Sequence, residues 1–452
     1  MPEIQAPSAR LVTADVQPYV DHFDGALSRR LREPQWLGQQ RLAARDALVA
    51  MGLPTTRDEE WRFTPVAPLT IRSFQPATRG AIGRDALHAM RLSGPVAAEL
   101  VFVNGWFAPA LSRLGSLPAG VAADSLSAVV ARVPAVIDTE LGRLARADRH
   151  AFAAINTALF DDGAVVTVGP DVAVDGVIHV LFVADAPTDA MAVHPRLLVR
   201  AGANSRVQLV ESYYGTAGQV YFTNAITEVT LEAGARVDHY KVQRESRQAF
   251  HVGLTHVQCD RDSRFSSHAF SLGGAWVRNE VTATMADQGA ECTLNGLYLG
   301  DGHSMVDNHT TIDHAKPHCS SHEVYKGILG GPARAVFNGK IVVRPDAQKT
   351  DAKQTNKALL LSDLALINSK PQLEIFANDV KCTHGAAVGQ LDEQAIFYLR
   401  ARGIGERDAK GMLVHAFAGE VLDGVRLEPL RQRIEQVIAA DLTAMLAGQG
   451  TV

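Results

Sequence analysis

Apolar residues at helical spacing mark the first part of the chain. Phe23, Leu27 and Leu31 lie four positions apart, which places them on one face of an α-helix. A short apolar run in residues 99–107 has the composition of a strand and interrupts this pattern. We predict that residues 1–160 form a mostly helical N-terminal region.

The pattern changes at Asp161, where helical periodicity stops. Short runs rich in β-branched residues then alternate with Gly, Asp and Asn, which is typical of strands separated by turns. Turn residues recur at intervals of roughly thirty, as at Gly202, Gly234 and Asp262. Repeats of this length indicate a β-solenoid, in which each coil buries its apolar face on its neighbours. A β-sandwich would show similar punctuation, so periodicity alone leaves both folds open for residues 161–390.

Helical spacing returns in the last part of the chain. Leu430, Ile434 and Ile438 belong to one apolar stripe that continues to Leu446. The stripe predicts a C-terminal helical domain over residues 391–452. Such helices would serve to cap the last coil of a solenoid, which must not leave an open apolar edge.

The segment from Leu373 to Ile404 carries a candidate metal-binding pair. Residues Leu373 to Ala377 have the pattern of a buried strand, and a short second strand follows with Cys382 and His384 two positions apart. Alternate residues of a strand point to the same face, so the thiol and the imidazole would project side by side. Both groups bind transition metals. The pair is therefore a candidate metal site, and its alternative is two half-buried packing residues.

A histidine-rich run offers a second candidate metal site. Its members are His303, His309, His314, His318 and His322, with Cys319 and three aspartates among them. None of the spacings fits an HxH, HExxH or CxxC pattern. Two interpretations stay open for this run: a polar ladder or folded turn inside the core, and a metal-dependent enzyme that uses the cluster from His303 to His322.

Composition and charge argue against several classes of function. The net charge of −5 and the pI of about 6.3 do not suit binding to nucleic acid or to an anionic membrane. No apolar run approaches the ~20 residues that a membrane span needs, and the N-terminus has no secretory pattern, so we expect a cytoplasmic protein. No GxxxxGK[ST] loop occurs in the sequence. We therefore expect that the chain itself binds no nucleotide and is not an ATPase.

Four further segments carry a resemblance to a known family. They are residues 52–65, 152–166, 306–329 and 355–382, and together with residues 373–404 they span much of the chain. These segments resemble the SufB/SufD family, the scaffold subunits of the SUF iron–sulfur cluster assembly system. They are closer to the SufD branch, because residues 353–363 lack the cysteine that the SufB branch carries there. The resemblance implies a mainly β fold, with a right-handed parallel β-helix core between an N-terminal helical region and a C-terminal helical bundle.

The resemblance also implies a non-enzymatic role. It leads us to expect a scaffold that pairs with a SufB-like paralogue and binds a SufC-like ABC ATPase through its C-terminal helices. A transient iron–sulfur cluster, or iron, would form at the interface with the SufB-like subunit, with His384 as the matching ligand and Cys382 beside it. A flavin is associated with complexes of this family, but the chain has no dinucleotide fingerprint.

Two enzyme alternatives and one assembly alternative accompany this expectation. The enzyme alternatives are a polysaccharide-acting β-helix protein, which would normally be secreted, and the metal-dependent enzyme built on the histidine run. The assembly alternative is that the chain functions as a SufB-like homodimer, and the absence of the SufB-branch cysteine argues against it. A homodimer also stays open for the chain when it is isolated from its partners.

Overall fold

The computed structural model describes residues 15–31, 33–186 and 190–448. The helices of the N-terminal part are α1 Gln17–Ala26, α2 Gln35–Met51, α3 Ala67–Thr70, α4 Arg84–His88, α5 Leu126–Arg132 and α6 Ala151–Leu159, with 3-10 turns at Leu27–Arg30, Glu59–Trp61 and Pro134–Val136. The C-terminal helices are α7 Glu393–Ala401, α8 Glu406–Leu422 and α9 Glu428–Gly448. None of the described helices is long and apolar enough to cross a membrane.

Strands occupy most of the chain between α6 and α7. The strands that begin before α6 are β1 Gln75–Pro76, β2 Val96–Val103, β3 Trp106–Phe107, β4 Arg113–Leu114 and β5 Val121–Ser125. The remaining strands are β6 Ala164–Val168, β7 Ala173–Ala184, β8 Met191–Val193, β9 Arg196–Ala201, β10 Arg206–Gly215, β11 Tyr221–Leu231, β12 Arg236–Arg244, β13 Phe250–Cys259, β14 Arg264–Ser271, β15 Trp276–Met285, β16 Glu291–Gly300, β17 Met305–His314, β18 Ser320–Leu329, β19 Arg334–Val343, β20 Asp351–Leu360, β21 Leu366–Ile375 and β22 Lys381–Gly389.

Parallel pairing between strands two apart in sequence builds a parallel β-helix. Within the described residues the strands form two 11-stranded sheets, one ending in β19 and β21 and the other in β20 and β22. Each coil adds one strand to each sheet, since β18 pairs with β20 and β19 pairs with β21. This topology confirms the predicted β-helix over the β-sandwich. The second sheet also reaches into the N-terminal region, where β2 pairs in parallel with β7.

A column of turns explains the thirty-residue interval in the sequence. One residue per turn has a left-handed backbone, at Asn204, Gly234, Asp262, Gly289, His318 and Lys349. Each of these N–H groups donates to a carbonyl of the following coil, as Gly234 N does to Arg261 O at 2.8 Å. The predicted turn glycine Gly202 has a different role in the turn that contains Asn204. A Cβ there would lie 2.8 Å from the backbone nitrogen of Pro170, so this position needs glycine for close approach between coils.

Alternate side chains of each strand fill the inside of the β-helix. Val229, Val257, Ala283 and Ile312 occupy one such position in four successive coils, and all four belong to one buried apolar cluster. Because the inward positions repeat every second residue, each coil buries its apolar side chains on those of the next.

Helices cover the outer faces of both sheets. The side chains of α6 are buried throughout, and they pack with Phe222 and Leu254 of the first sheet. The apolar stripes of α8 and α9 pack on the second sheet, where Ile438 shares a cluster with Phe270 and Ile328. The predicted role of the C-terminal helices as a cap on the last coil is therefore wrong. Their stripe packs on the outer face of the sheet, and none of the described residues covers the end of the β-helix.

Candidate metal centre

The last coil of the β-helix is the least covered part of the core. Strand β21 is half-buried or exposed along its whole length, and β22 is exposed except at Cys382. Both strands lie at the ends of their sheets, so each pairs on one side only. The predicted buried strand over Leu373 to Ala377 ends at Ile375 and is half-exposed for this reason. Its pattern is that of a strand buried between coils, but no later coil in the described part of the chain covers it.

Cys382 and His384 occupy alternate positions of β22, as the spacing in the sequence predicts. Cys382 pairs with Ala352 of β20, and His384 pairs with Gln354. Cys382 also packs on the buried cluster that contains Ala352 and Ile341. The side of β22 that carries both residues therefore continues the inward-facing side of the β-helix, and at the open end His384 is exposed there.

The chemistry of the Cys382 thiol follows from its half-buried position. Burial raises the pKa of this thiol above its usual value, so the free side chain holds its proton at neutral pH. A metal must displace that proton to bind the thiolate, which makes binding at Cys382 dependent on pH. The imidazole of His384 can bind a metal in its neutral form, and it is the more accessible of the two. The pair can thus supply one nitrogen and one sulfur ligand, which leaves other coordination positions to a partner.

A buried carboxyl lies two coils inward from His384. Glu323, Gln354 and His384 hold the same position in three successive strands of the sheet. Gln354 Nε2 donates to Glu323 Oε2 at 2.8 Å, and burial raises the pKa of the Glu323 carboxyl to about 7. Glu323 can therefore gain or lose a proton near neutral pH. It is hydrogen-bonded to Gln354, which is the neighbour of His384 in the sheet. The sequence shows these residues only as a thirty-residue recurrence of polar side chains.

The histidine-rich run does not form one site. His314 is buried inside the β-helix, and its Nε2 lies 2.9 Å from Ser321 Oγ. His318 is the left-handed residue of its turn, and His303 and His322 are exposed. Neighbours along a strand alternate between inside and outside, so a cluster in sequence is divided in space. Among the described residues no group of three or more His, Cys, Asp or Glu side chains has a geometry that could hold a metal ion.

His309, the remaining member of the run, belongs to a buried ion-pair network. Its ring nitrogens lie 3.0 Å from Asp307 Oδ1 and 3.3 Å from Glu60 Oε2. Arg278 contacts Asp307 from the other side and lies over the Trp61 ring at 3.7 Å. The network attaches residues 59–64 to the β-helix, so the segment that contains Trp61 anchors the N-terminal region to the core.

Exposed apolar side chains surround the open end. Those on the last coil and its turn are Leu364, Leu366, Ile375, Phe376 and Val388. A second group lies on the first two C-terminal helices, where Phe397 is 73% exposed beside Tyr398 and Met412. Single exposed apolar residues are normal on a protein surface, but five on the last coil and its turns indicate contact with another macromolecule.

Comparison of the sequence with known proteins identifies its family. The sequence model of the SufBD core domain, described as SUF system FeS cluster assembly, matches residues 182–417, and that of the SufBD N-terminal region matches residues 15–180. An iron–sulfur cluster assembly SufBD family protein of Synechocystis is 34% identical over 90% of this chain and 91% of its own length. The iron–sulfur cluster assembly protein SufD of Escherichia coli is 32% identical over 89% of this chain and 91% of its own. The chain therefore belongs to the SufBD family of iron–sulfur cluster assembly proteins.

Proposed function

We propose that this chain is a non-catalytic scaffold subunit that builds a transient iron–sulfur cluster together with a SufB-like paralogue and a SufC-like ABC ATPase. The observation that carries the proposal is the open last coil, which presents Cys382 and His384 at an uncovered end of the β-helix. Two ligands on one exposed strand do not complete the coordination of iron, so the remaining ligands come from a second subunit.

The open end supports pairing with a second β-helix subunit. Phe376 is 61% exposed and Leu364 is 71% exposed, and burial of such side chains stabilises association. Within the residues that the structure describes, strands β21 and β22 each pair on one side only, so a partner can satisfy the backbone groups of their outer edges. A SufB-like subunit docked there would bring its own ligands to the face that carries His384.

The C-terminal helices support binding of the ATPase. Phe397 and Tyr398 project from α7, and Met412 projects from α8. These side chains are exposed although the inner faces of α8 and α9 pack on the sheet. Because the chain has no phosphate-binding loop of its own, ATP-driven rearrangement must originate in a partner docked on this surface.

Iron and sulfide are the cargo in this proposal. A scaffold must release what it builds, and mixed ligation by an imidazole and a thiol holds a cluster less tightly than four thiolates. Burial raises the pKa of Cys382. A raised thiol pKa also weakens the hold on the cluster, because reprotonation of the thiol favours release of the cluster.

The test is reconstitution of the complex with a His384→Ala chain. We expect the unmodified chain to co-purify with an ABC ATPase and a SufB-like subunit, and to hold an iron–sulfur chromophore after anaerobic reconstitution. His384→Ala should keep the partners and lose most of the chromophore. His322→Ala, which removes another exposed histidine of the core, is the matched control and should keep both.

Two results would contradict the proposal. One is purification as a lone protein that neither binds a partner nor supports a cluster. The other is a chromophore that survives His384→Ala at the unmodified level.

A further inference from the structure

An arginine-lined cleft lies between α4 and α9, and it shares no lining residue with the metal centre. Its volume is about 540 Å³, within the range of small-molecule sites. Four arginines line it, namely Arg91, Arg113, Arg244 and Arg433, and His88 adds a fifth basic side chain. None of the described residues that line the cleft is acidic.

Two carboxylates that do not themselves line the cleft offset part of this positive charge. Glu99 is fully buried, and it pairs with Arg91 at 2.8 Å and with Arg113 at 3.0 Å. Although burial alone would raise it, hydrogen bonds from His179 and Arg113 lower the pKa of Glu99 to about 2. Asp441 lies 4.0 Å from Arg244 and is shared with Arg247. The four guanidinium groups therefore have two carboxylates as partners, Glu99, which is fully paired, and Asp441, which is shared with Arg247. The cleft keeps an excess of positive charge.

Hydrogen-bond donors also remain free in the cleft. A guanidinium group has five N–H donors. Arg433 uses two on the carbonyls of Ala89 and Arg91. The Arg244 side chain makes no hydrogen bond to the described residues, and its contact with Asp441, at 4.0 Å, is longer than a hydrogen bond. The unused donors of Arg244 and Arg433 border the cleft, where an anion would satisfy them.

We propose that this cleft binds a small phosphate-bearing molecule. The planar fork of arginine matches the oxygens of a phosphate group, and several arginines around one cleft can bind a dianion. Gln432 and Gln436 supply amide groups, and Leu92 and Val437 supply an apolar wall for the rest of such a molecule. A nucleic acid fits the observations less well, because the net charge of the chain is −5 and the basic side chains are confined to one cleft.

Binding is tested on the full chain by isothermal titration calorimetry. The probes are inorganic phosphate, pyrophosphate and AMP, with adenosine and with potassium chloride at matched ionic strength as controls. We expect saturable binding of at least one phosphate compound and none of adenosine. Saturation by inorganic phosphate alone would identify the free anion as the ligand, whereas a preference for AMP would identify a phosphorylated organic molecule.

Arg244→Gln provides the decisive variant. It removes the arginine with the weakest contacts, so the fold should persist, and it should weaken binding about tenfold or more, as loss of a charge-assisted hydrogen bond does. Arg247→Gln is the matched control. It removes the same charge from the same Asp441 but does not line the cleft, and it should change the affinity less than about twofold.

A second measurement does not depend on a variant. Phenylglyoxal modification of the unmodified chain, followed by mass spectrometry, should show protection of Arg244 and Arg113 by the bound phosphate compound and no protection of Arg247. Absence of saturable binding by all three phosphate compounds would overturn the proposal. Equal loss of affinity in Arg244→Gln and Arg247→Gln would also overturn it, since the effect would then be one of general charge.

Discussion

At the scale of single residues, His309 shows how an apparent metal ligand serves as a buried cation. Its contacts with Asp307 and Glu60 outweigh the burial that would lower its pKa, and they raise the pKa of the imidazole to about 9. A protonated imidazole has no free lone pair for a metal. Asp307, one of the carboxylates that make the run look like a metal site, is thus one of the groups that keep His309 from acting as a ligand.

This network predicts a loss of stability at alkaline pH. The pKa of His309 is higher in the folded chain than the value of about 6.5 expected on unfolding, so its stabilising effect is complete below that value. The effect is lost as the pH rises through about 9. We expect His309→Gln to lower the free energy of unfolding by roughly 1–3 kcal/mol at pH 6 and by less at pH 10.

The measurement is urea unfolding of both proteins across this pH range. His322→Gln, at an exposed position of the same run, is the control and should follow the unmodified chain at every pH. A difference between His309→Gln and the unmodified chain that stays constant from pH 6 to 10 would show that the imidazole is not the titrating group.

The sequence predicts which residues lie close together along one strand, but it does not predict which residues of different coils come into contact. Alternation alone placed Cys382 and His384 on one side of β22. The position of Gln354 beside His384 depends on the register between β20 and β22, and that register is set by the length of each turn. The contact of Glu60 with His309 joins residues 249 positions apart, and no local pattern encodes it.

At the scale of elements, the column of left-handed turns sets the register of the β-helix. Gly289 has a φ of 73°, and a Cβ there would lie 2.0 Å from Asp262 Oδ1 in the preceding turn. Gly302 has a φ of 57°, but a Cβ there would meet nothing within 4 Å. Substitution of Gly302 therefore measures the cost of the left-handed backbone alone. Substitution of Gly289 measures that cost together with the cost of the steric clash.

We expect Gly289→Ala to destabilise the chain more than Gly302→Ala. The change at Gly302 should cost about 1 kcal/mol, the usual penalty for a left-handed alanine. The change at Gly289 adds displacement of the Asp262 side chain and should cost about 2–4 kcal/mol in total. Chemical denaturation of both variants measures the difference. Equal costs would mean that Asp262 moves away freely.

The thirty-residue repeat was visible in the sequence, but the repeat alone did not distinguish a β-solenoid from a β-sandwich, and it did not predict how the helices pack on the core. Turn residues about thirty apart follow directly from one coil per repeat. The apolar stripe of α9 shows which of its faces is buried, yet it does not show what covers that face. Its partners, such as Phe270 and Ile328, lie on the outward positions of strands, where a sequence pattern alone suggests only an intermediate degree of burial.

At the scale of the whole molecule, the open end predicts how the isolated chain associates. Without a paralogue, the exposed residues around Phe376 and Leu364 should bury themselves against a second copy, since a symmetric pair is the simplest closed assembly. We expect a homodimer in solution, and we expect Phe376→Asp to shift it toward monomer by at least about tenfold in dissociation constant.

Sedimentation velocity over a range of concentrations measures this shift. Ile71→Asp is the control, because Ile71 is 80% exposed but lies in the N-terminal region away from the last coil. A dimer that resists Phe376→Asp, or one that Ile71→Asp disrupts equally, would place the self-association surface elsewhere.

The one-sided pairing of β22 has a consequence for local stability. An interior coil can open only by breaking backbone hydrogen bonds on both sides, whereas the last coil breaks them on one side. In a stacked array the end unit unfolds at the lowest free energy. The strand that carries Cys382 and His384 is accordingly the segment of the β-helix that frays first. Binding of a partner or of the cargo to this strand therefore slows the exchange of its amide hydrogens. Hydrogen exchange at this one coil reports whether either is bound.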